Sequence, residues 1–144
     1  MSDTQNYQNH VRWFPLVHFV IFPMLTINLL WAAVRLYQEP SWDRVEFLFL
    51  AIAFALMALA ARAQAVKAQD RIIRLEERLR YNDVLSPELA EKAYDLPVGQ
   101  MIALRFASDE ELPGLIERVL SGELQTGKEI KQAVTNWRAD YLRV

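Results

Sequence analysis

The 144-residue chain contains no cysteine, only four glycines and two histidines, and not one charged residue between Trp13 and Val34. Each shortage removes a class of chemistry. Without cysteine there is no disulfide, no thiolate nucleophile and no Cys-based zinc or iron–sulfur site, and the redox compartment is left undetermined. The glycines are scattered and build no phosphate-cradling loop, while His10 and His18 form no HExxH pair. Ser86 and Ser108 stand where helix caps belong rather than beside a general base. No catalytic residue, cofactor, metal ligand or small-molecule substrate is therefore assigned, and the chain is not expected to be an enzyme.

What is present divides into two unlike halves that a mean hydropathy of +0.02 conceals. Residues 1–80 hold nine Arg/Lys against seven Asp/Glu and two long apolar stretches, whereas 81–144 hold seven against eleven and no such stretch. The first stretch, Trp13 to Val34, is 22 residues long, enough for a hydrocarbon core that needs about 20 residues at about 1.5 Å each. A cleaved signal peptide is the competing reading, but the preceding tail is polar rather than basic and the stretch exceeds an h-region. Trp13 and Trp31 lie about 27 Å apart along a helix, suited to opposite headgroup layers. The second stretch, Val45 to Ala61, is short for a span, and Arg62 extends it by snorkelling.

The segment between them, with Pro40, Ser41, Tyr37 and Trp42, reads as a turn between antiparallel helices. Beyond Ala61 no glycine or proline occurs before Arg80, so the second helix is expected to leave the bilayer near Arg62 and continue into the cytoplasm. The resulting organisation is all-α. A polar tail (1–12) precedes a first transmembrane helix (13–36), a loop (37–44), a second transmembrane helix that projects into the cytoplasm (45–80) and a small soluble helical domain (81–144). Six basic residues from Arg62 to Arg80, against Arg35 and Arg44 in the loop and Arg12 in the tail, put both termini in the cytoplasm. Affinity of Arg71–Arg80 for anionic headgroups is the lesser reading of that cluster, since Glu76 and Glu77 interrupt it.

Along the second helix, Phe47, Ala51, Phe54, Ala58, Ala61, Ala65, Ala68, Ile72, Leu75 and Leu79 recur at alternating four- and three-residue steps, the spacing of a left-handed coiled-coil seam. Its alanines permit close helix approach in lipid. Two uses stay open, packing against the first span and the C-terminal helices, or self-association. On the outer faces Asp70–Arg74 and Glu76–Arg80 place acids one turn before bases.

In the C-terminal domain Ser86-Pro87 and Pro97 open helices, the second burying Val98, Met101 and Ile102. Ser108 with Glu111 and Thr126 with Glu129 form capping boxes. Leu112, Leu115, Ile116, Val119 and Leu120 make an apolar stripe that stops at Gly122, with Pro113 shortening its start. The last helix turns Ile130, Ala133, Val134 and Trp137 to one face.

Four segments, "QNYQNHVRWFPLVHFVIFP", "QDRIIRLEERLR", "ALRFASDEELPGL" and "IKQAVTNWRADYLRV", resemble a family of short bacterial two-span membrane proteins known only as a domain of unknown function. The resemblance covers nearly the whole chain and implies helical architecture in a bacterial inner membrane, with no chemistry attached.

Among polar groups at membrane depth, His18, Thr26 and Asn28 are the candidate intramembrane contacts. His18 lies near enough to the interface for solvation, Thr26 can bond its own backbone, and Asn28 is placed to bridge to a neighbouring helix. The acidic run Asp109-Glu110-Glu111 is better read as a helix start than a cation site. Trp137, Arg138, Tyr141 and Arg143 do not make a nucleic-acid surface on an acidic domain. The leading expectation is a membrane-anchored interaction or scaffold protein whose partners are the bilayer and a second copy or another membrane protein. The alternative is an accessory or pore-forming subunit of a transport or channel assembly.

Overall fold

The computed structural model of the chain describes residues 5–11 and 13–140, so Arg12, Tyr141 and Arg143 lie outside the described residues. Among those described there are six α-helices, one π-helical turn and no strand, which makes the chain all-α. The helices are α1 (Phe22–Gln38), preceded by the π turn Leu16–Ile21, α2 (Trp42–Val84), α3 (Pro87–Ala93), α4 (Val98–Leu104), α5 (Leu112–Leu120) and α6 (Gly127–Ala133). They form two compact units: residues 13–67, and residues 68–140 together with the tail 5–11.

In the unit 13–67, Pro23 has no N–H to donate, and its ring presses on the turn before it. The backbone there is wound as the π turn, a local widening that relieves such a clash. The turn joining α1 to α2 is shorter than the expected loop because Ser41 draws the next residues into helix: its hydroxyl accepts the Arg44 N–H at 3.4 Å. Arg44 closes the same turn by donating to the Arg35 carbonyl at 2.9 Å and pairing with Glu39. Only the small residues Ala32 and Ala51 are buried in this unit, and large apolar side chains such as Ile27, Trp31, Phe47 and Phe49 are two-thirds exposed. The segments Leu16–Gln38 and Trp42–Val84 are both long and apolar enough to cross a membrane.

The other unit is built on the last turns of α2. The helix continues past Arg80 to Val84 because the first breaker is Pro87, which forces Ser86 into extended backbone. Ser86 then caps α3 through the Leu89 N–H. Met101 and Leu104 of α4, Leu112, Leu115 and Ile116 of α5 and Ile130 of α6 are buried together with Tyr81 of α2. Two expectations for this core change. Val98 and Ile102 are only half buried while Ala103 is fully so, and Leu120 is 40 % exposed. Leu120 stands about 80° from Leu112 at 100° per residue, on the edge of the stripe rather than within it.

α5 starts at Leu112, which puts Pro113 in the first turn where its missing N–H costs nothing. It ends at Gly122, whose φ of +82° is open to glycine with little strain. α4 and α6 cross closely: a Cβ on Gly127 would stand 3.3 Å from the Gly99 carbonyl oxygen. The Thr126–Glu129 capping box at the start of α6 is complete. After α6 the chain returns along residues 106–108, Ser108 N–H bonding the Asn136 carbonyl at 3.0 Å and Arg138 N–H the Phe106 carbonyl at 2.7 Å, which holds Trp137 against the core.

Because Ile116 is fully buried and Leu120 is not, the two sites on one helix should respond differently to truncation. Ile116→Ala is expected to cost about 3 kcal/mol, and Leu120→Ala less than about 1 kcal/mol. Urea unfolding of the full chain followed through the domain tryptophan measures both, and equal losses would contradict this packing.

Candidate functional site

The seam predicted along α2 is not one surface in the structure. In its first half Ala51 is buried, Phe54 is half exposed, and Ala58, Ala61 and Ala65 line an apolar cavity of about 300 Å³ with Phe14, Val17, Ile21 and Phe22. Phe47 lies beside Ala32 and Asn28 in a second cavity of about 670 Å³. Phe14, Val17, Ile21 and Phe22 of the first segment thus share one cavity lining with Ala58, Ala61 and Ala65 of the second. In the second half Ala68, Ile72, Leu75 and Leu79 are exposed.

The polar candidates of the first segment do not converge. His18 Nδ1 lies 3.0 Å from the Phe14 carbonyl oxygen, with its ring edge-on to Trp13. Thr26 donates to the Phe22 carbonyl at 2.8 Å, back-bonding within its own helix. Asn28 lines the larger cavity with Trp31, Arg35 and Arg44. Three groups in three separate settings make no relay.

The face of α2 that the domain covers carries Ile73, Glu77, Arg80 and Tyr81, all buried. Arg80 was expected to pair with Glu76; instead it turns inward. Its Nε donates to Asp109 Oδ1 at 2.7 Å and its Nη2 to the Ala107 carbonyl at 2.7 Å, while Nη1 stands 3.3 Å from Glu77 Oε2. Arg138 approaches the other Glu77 oxygen at 3.6 Å. Asp109 is two-thirds exposed, so this pair is half solvated, whereas the Glu77 carboxylate is shut in. Burial pushes the Glu77 carboxyl above its ordinary value of 4.5, and Arg80, Arg138 and Arg105 only partly hold it down. Burial, with the Glu77 charge beside it, likewise raises the Tyr81 phenol.

A second set of bonds ties the tail to the domain. Asp140 N–H donates to Gln5 Oε1 at 2.8 Å, and the Asp140 carboxylate meets Arg105 Nη1 at 3.4 Å. The His10 ring packs against Tyr7, Phe106 and Trp137 at centroid distances of 5.5, 5.9 and 5.8 Å. The acidic run is spent inside the domain as well. Ser108 accepts the Glu111 N–H as expected, but the Glu111 carboxylate does not return to close that capping box. It accepts from Thr135 N–H, Thr135 Oγ1 and Asn136 N–H at 3.2, 2.7 and 3.1 Å, pinning the segment after α6.

One family model matches this arrangement of segments along residues 1–144. The chain belongs to DUF6526, a family of unknown function. No curated protein and no solved structure matches it. For this DUF6526 chain the site is therefore its own geometry: a buried charged cluster joining α2, the α4–α5 turn and the segment after α6.

Sequence patterning missed Glu77, Arg80 and Asp109 as a unit, and the missed signal was spacing. Ile73, Glu77, Arg80, Tyr81 and Val84 follow steps of four, three, one and three, a helical stripe as regular as the chosen seam. Two charged members kept it from registering as apolar.

Glu77 supplies a pH test with a definite sign. A carboxyl whose pKa is higher in the folded chain than in the unfolded one binds an extra proton on folding. Its contribution is most favourable below 4.5 and is lost as pH rises from there through the raised folded value. Glu77→Gln removes this titration while keeping the shape. The stability of the variant minus that of the parent should therefore climb across that window and then level off, measured as urea midpoints in a pH series. A difference independent of pH would refute the raised carboxyl.

Proposed function

We propose that this protein is a membrane-anchored interaction protein, its hairpin set in a bacterial inner membrane and its helical domain presented to partners on the cytoplasmic side. One observation carries the reading. The same helix, α2, bears bare apolar side chains from Val45 to Leu59 and then buries Ile73 and Tyr81 in the domain core. Apolar surface as extensive as that on residues 13–61 belongs against another apolar phase, and α1 with its π turn is 23 residues long, the length such a phase requires at about 20 residues per crossing.

Sidedness has two independent supports. The arginine excess after Ala61 favours the cytoplasm for the domain. The tail packs on the domain through Gln5 and His10, which supports placing both on one side, as an even number of crossings would. The charged cluster fits a presenting role: each carboxylate in it holds a guanidinium of its own chain, Glu77 those of Arg80 and Arg138 and Asp109 that of Arg80.

The cysteine-free sequence makes the test direct. Single cysteines at Asn9 and Glu123, both exposed, should be labelled by an impermeant maleimide in inverted inner-membrane vesicles and protected in intact spheroplasts. Labelling of the two positions from opposite sides, or release of the chain by alkaline carbonate, would overturn the proposal.

A further inference from the structure

We propose that Ala68–Leu79 of α2 pairs with the same face of a second copy of this chain as a parallel, two-stranded coiled coil; its parallel sense rests in part on the membrane anchoring proposed above. With Ala65 at a and Ala68 at d, the heptad places Ile72 at a, Leu75 at d and Leu79 at a. These three large side chains are 57, 62 and 60 % exposed. The domain covers the other side of the helix, where Ile73, Glu77, Arg80 and Tyr81 take b, f, b and c. Of the large apolar positions in this stretch, those the chain leaves open are thus the ones a coiled coil uses.

The flanking charges choose the occupant. Positions e are Glu76 and Asp83, and positions g are Arg71 and Arg78. In a parallel pair each g residue meets the partner's e residue five places on, so Arg71 meets Glu76 and Arg78 meets Asp83. An antiparallel pair instead opposes g to g and e to e, arginine to arginine and acid to acid. Arg78 is already engaged, its Nη2 donating to the Tyr94 carbonyl at 3.0 Å with its guanidinium 5.6 Å from the ring centroid. Arg71 and Glu76 are both exposed, which makes theirs the deciding pair. Ile72, the one β-branched residue at a, stands with Leu75 at d, the combination that favours two strands over three or four.

Two heptads would not hold a dimer of free peptides together. Chains confined to one bilayer emerge in the same direction, and confinement raises their effective concentration, which supplies both the parallel sense and the missing affinity. The alanines Ala51 and Ala58 are occupied within the hairpin unit, so the contact between copies falls on the extension rather than the apolar half.

The test uses the full chain in lipid nanodiscs or vesicles. Oxidation of Leu75→Cys or Leu79→Cys should give disulfide dimers, while Arg74→Cys, an exposed position at c, should give few. Arg71→Glu and Glu76→Arg, each setting like charges across the seam twice per dimer, should each weaken dimerisation about fivefold, and the double exchange should restore it. Equal crosslinking at Arg74 and Leu75, or a double exchange no better than the singles, would overturn the proposal. A chain retained by the membrane but monomeric by mass overturns the coiled coil and leaves the anchoring intact. Seam-specific dimers of a chain that alkaline carbonate releases would uphold the coiled coil and remove the anchor.

Discussion

Arg80 is the residue through which α2 holds the rest of its unit. Helices α3 to α6 are seven to nine residues long, well below the length at which an isolated helix is stable in water. Their stability comes from burying one another and the last turns of α2, and Arg80 is where that packing is made directional. Its guanidinium bonds a side chain and a carbonyl of the α4–α5 turn while facing Glu77. Such a cluster need not outperform an apolar replacement, since desolvation offsets much of the attraction. Removing one partner is another matter, because it strands a buried charge at a cost of about 3–5 kcal/mol. The cluster therefore acts less as a source of stability than as a constraint: few other placements of the turn leave Arg80 compensated.

The same logic explains why the two ends of the chain meet. Arg105 is buried beside Phe106 and reaches Asp140, and Asp140 in turn holds the tail, its N–H donating to Gln5 Oε1. His10 packs against both Phe106 and Trp137, which themselves touch. Each contact alone is modest, a hydrogen bond contributing about 1 kcal/mol net. Together they set a carboxylate beside a buried guanidinium and place the His10 ring against the Trp137 indole.

Much of this was legible in the residues, and what was not shares one cause. Ser86-Pro87, Thr126 with Glu129, and Gly122 act through backbone geometry within a few residues, so local pattern finds them. The helical class and the two long apolar stretches follow from the order of residues along the chain. The side of α2 that the domain takes was not local. It depends on Asp109 and Ala107, whose distance from Arg80 in sequence gives no hint of their nearness in space. The Ser108 box failed for the same reason: Glu111 found three donors at Thr135 and Asn136, which outweigh the one N–H a capping box offers.

The size of the seam residues carries the remaining argument. From Ala51 to Ala68 every seam position but Phe54 is alanine, and from Ile72 onward each is a large aliphatic. In lipid no hydrophobic force separates helix from acyl chain, so helices associate by close backbone approach and small residues serve best. In water the force comes from apolar area at roughly 25 cal/mol per Å² removed from solvent, and large residues serve best. A single periodic stripe that changes from alanine to isoleucine and leucine just past Arg62 and Lys67 is what a helix needs if it passes from one solvent to the other. An apolar helix lying wholly in water would have no reason to make its seam small, and one lying wholly in lipid no reason to make it large. The switch between Ala68 and Ile72 thus argues for the anchoring and for the place of the contact between copies at once, from one and the same stripe.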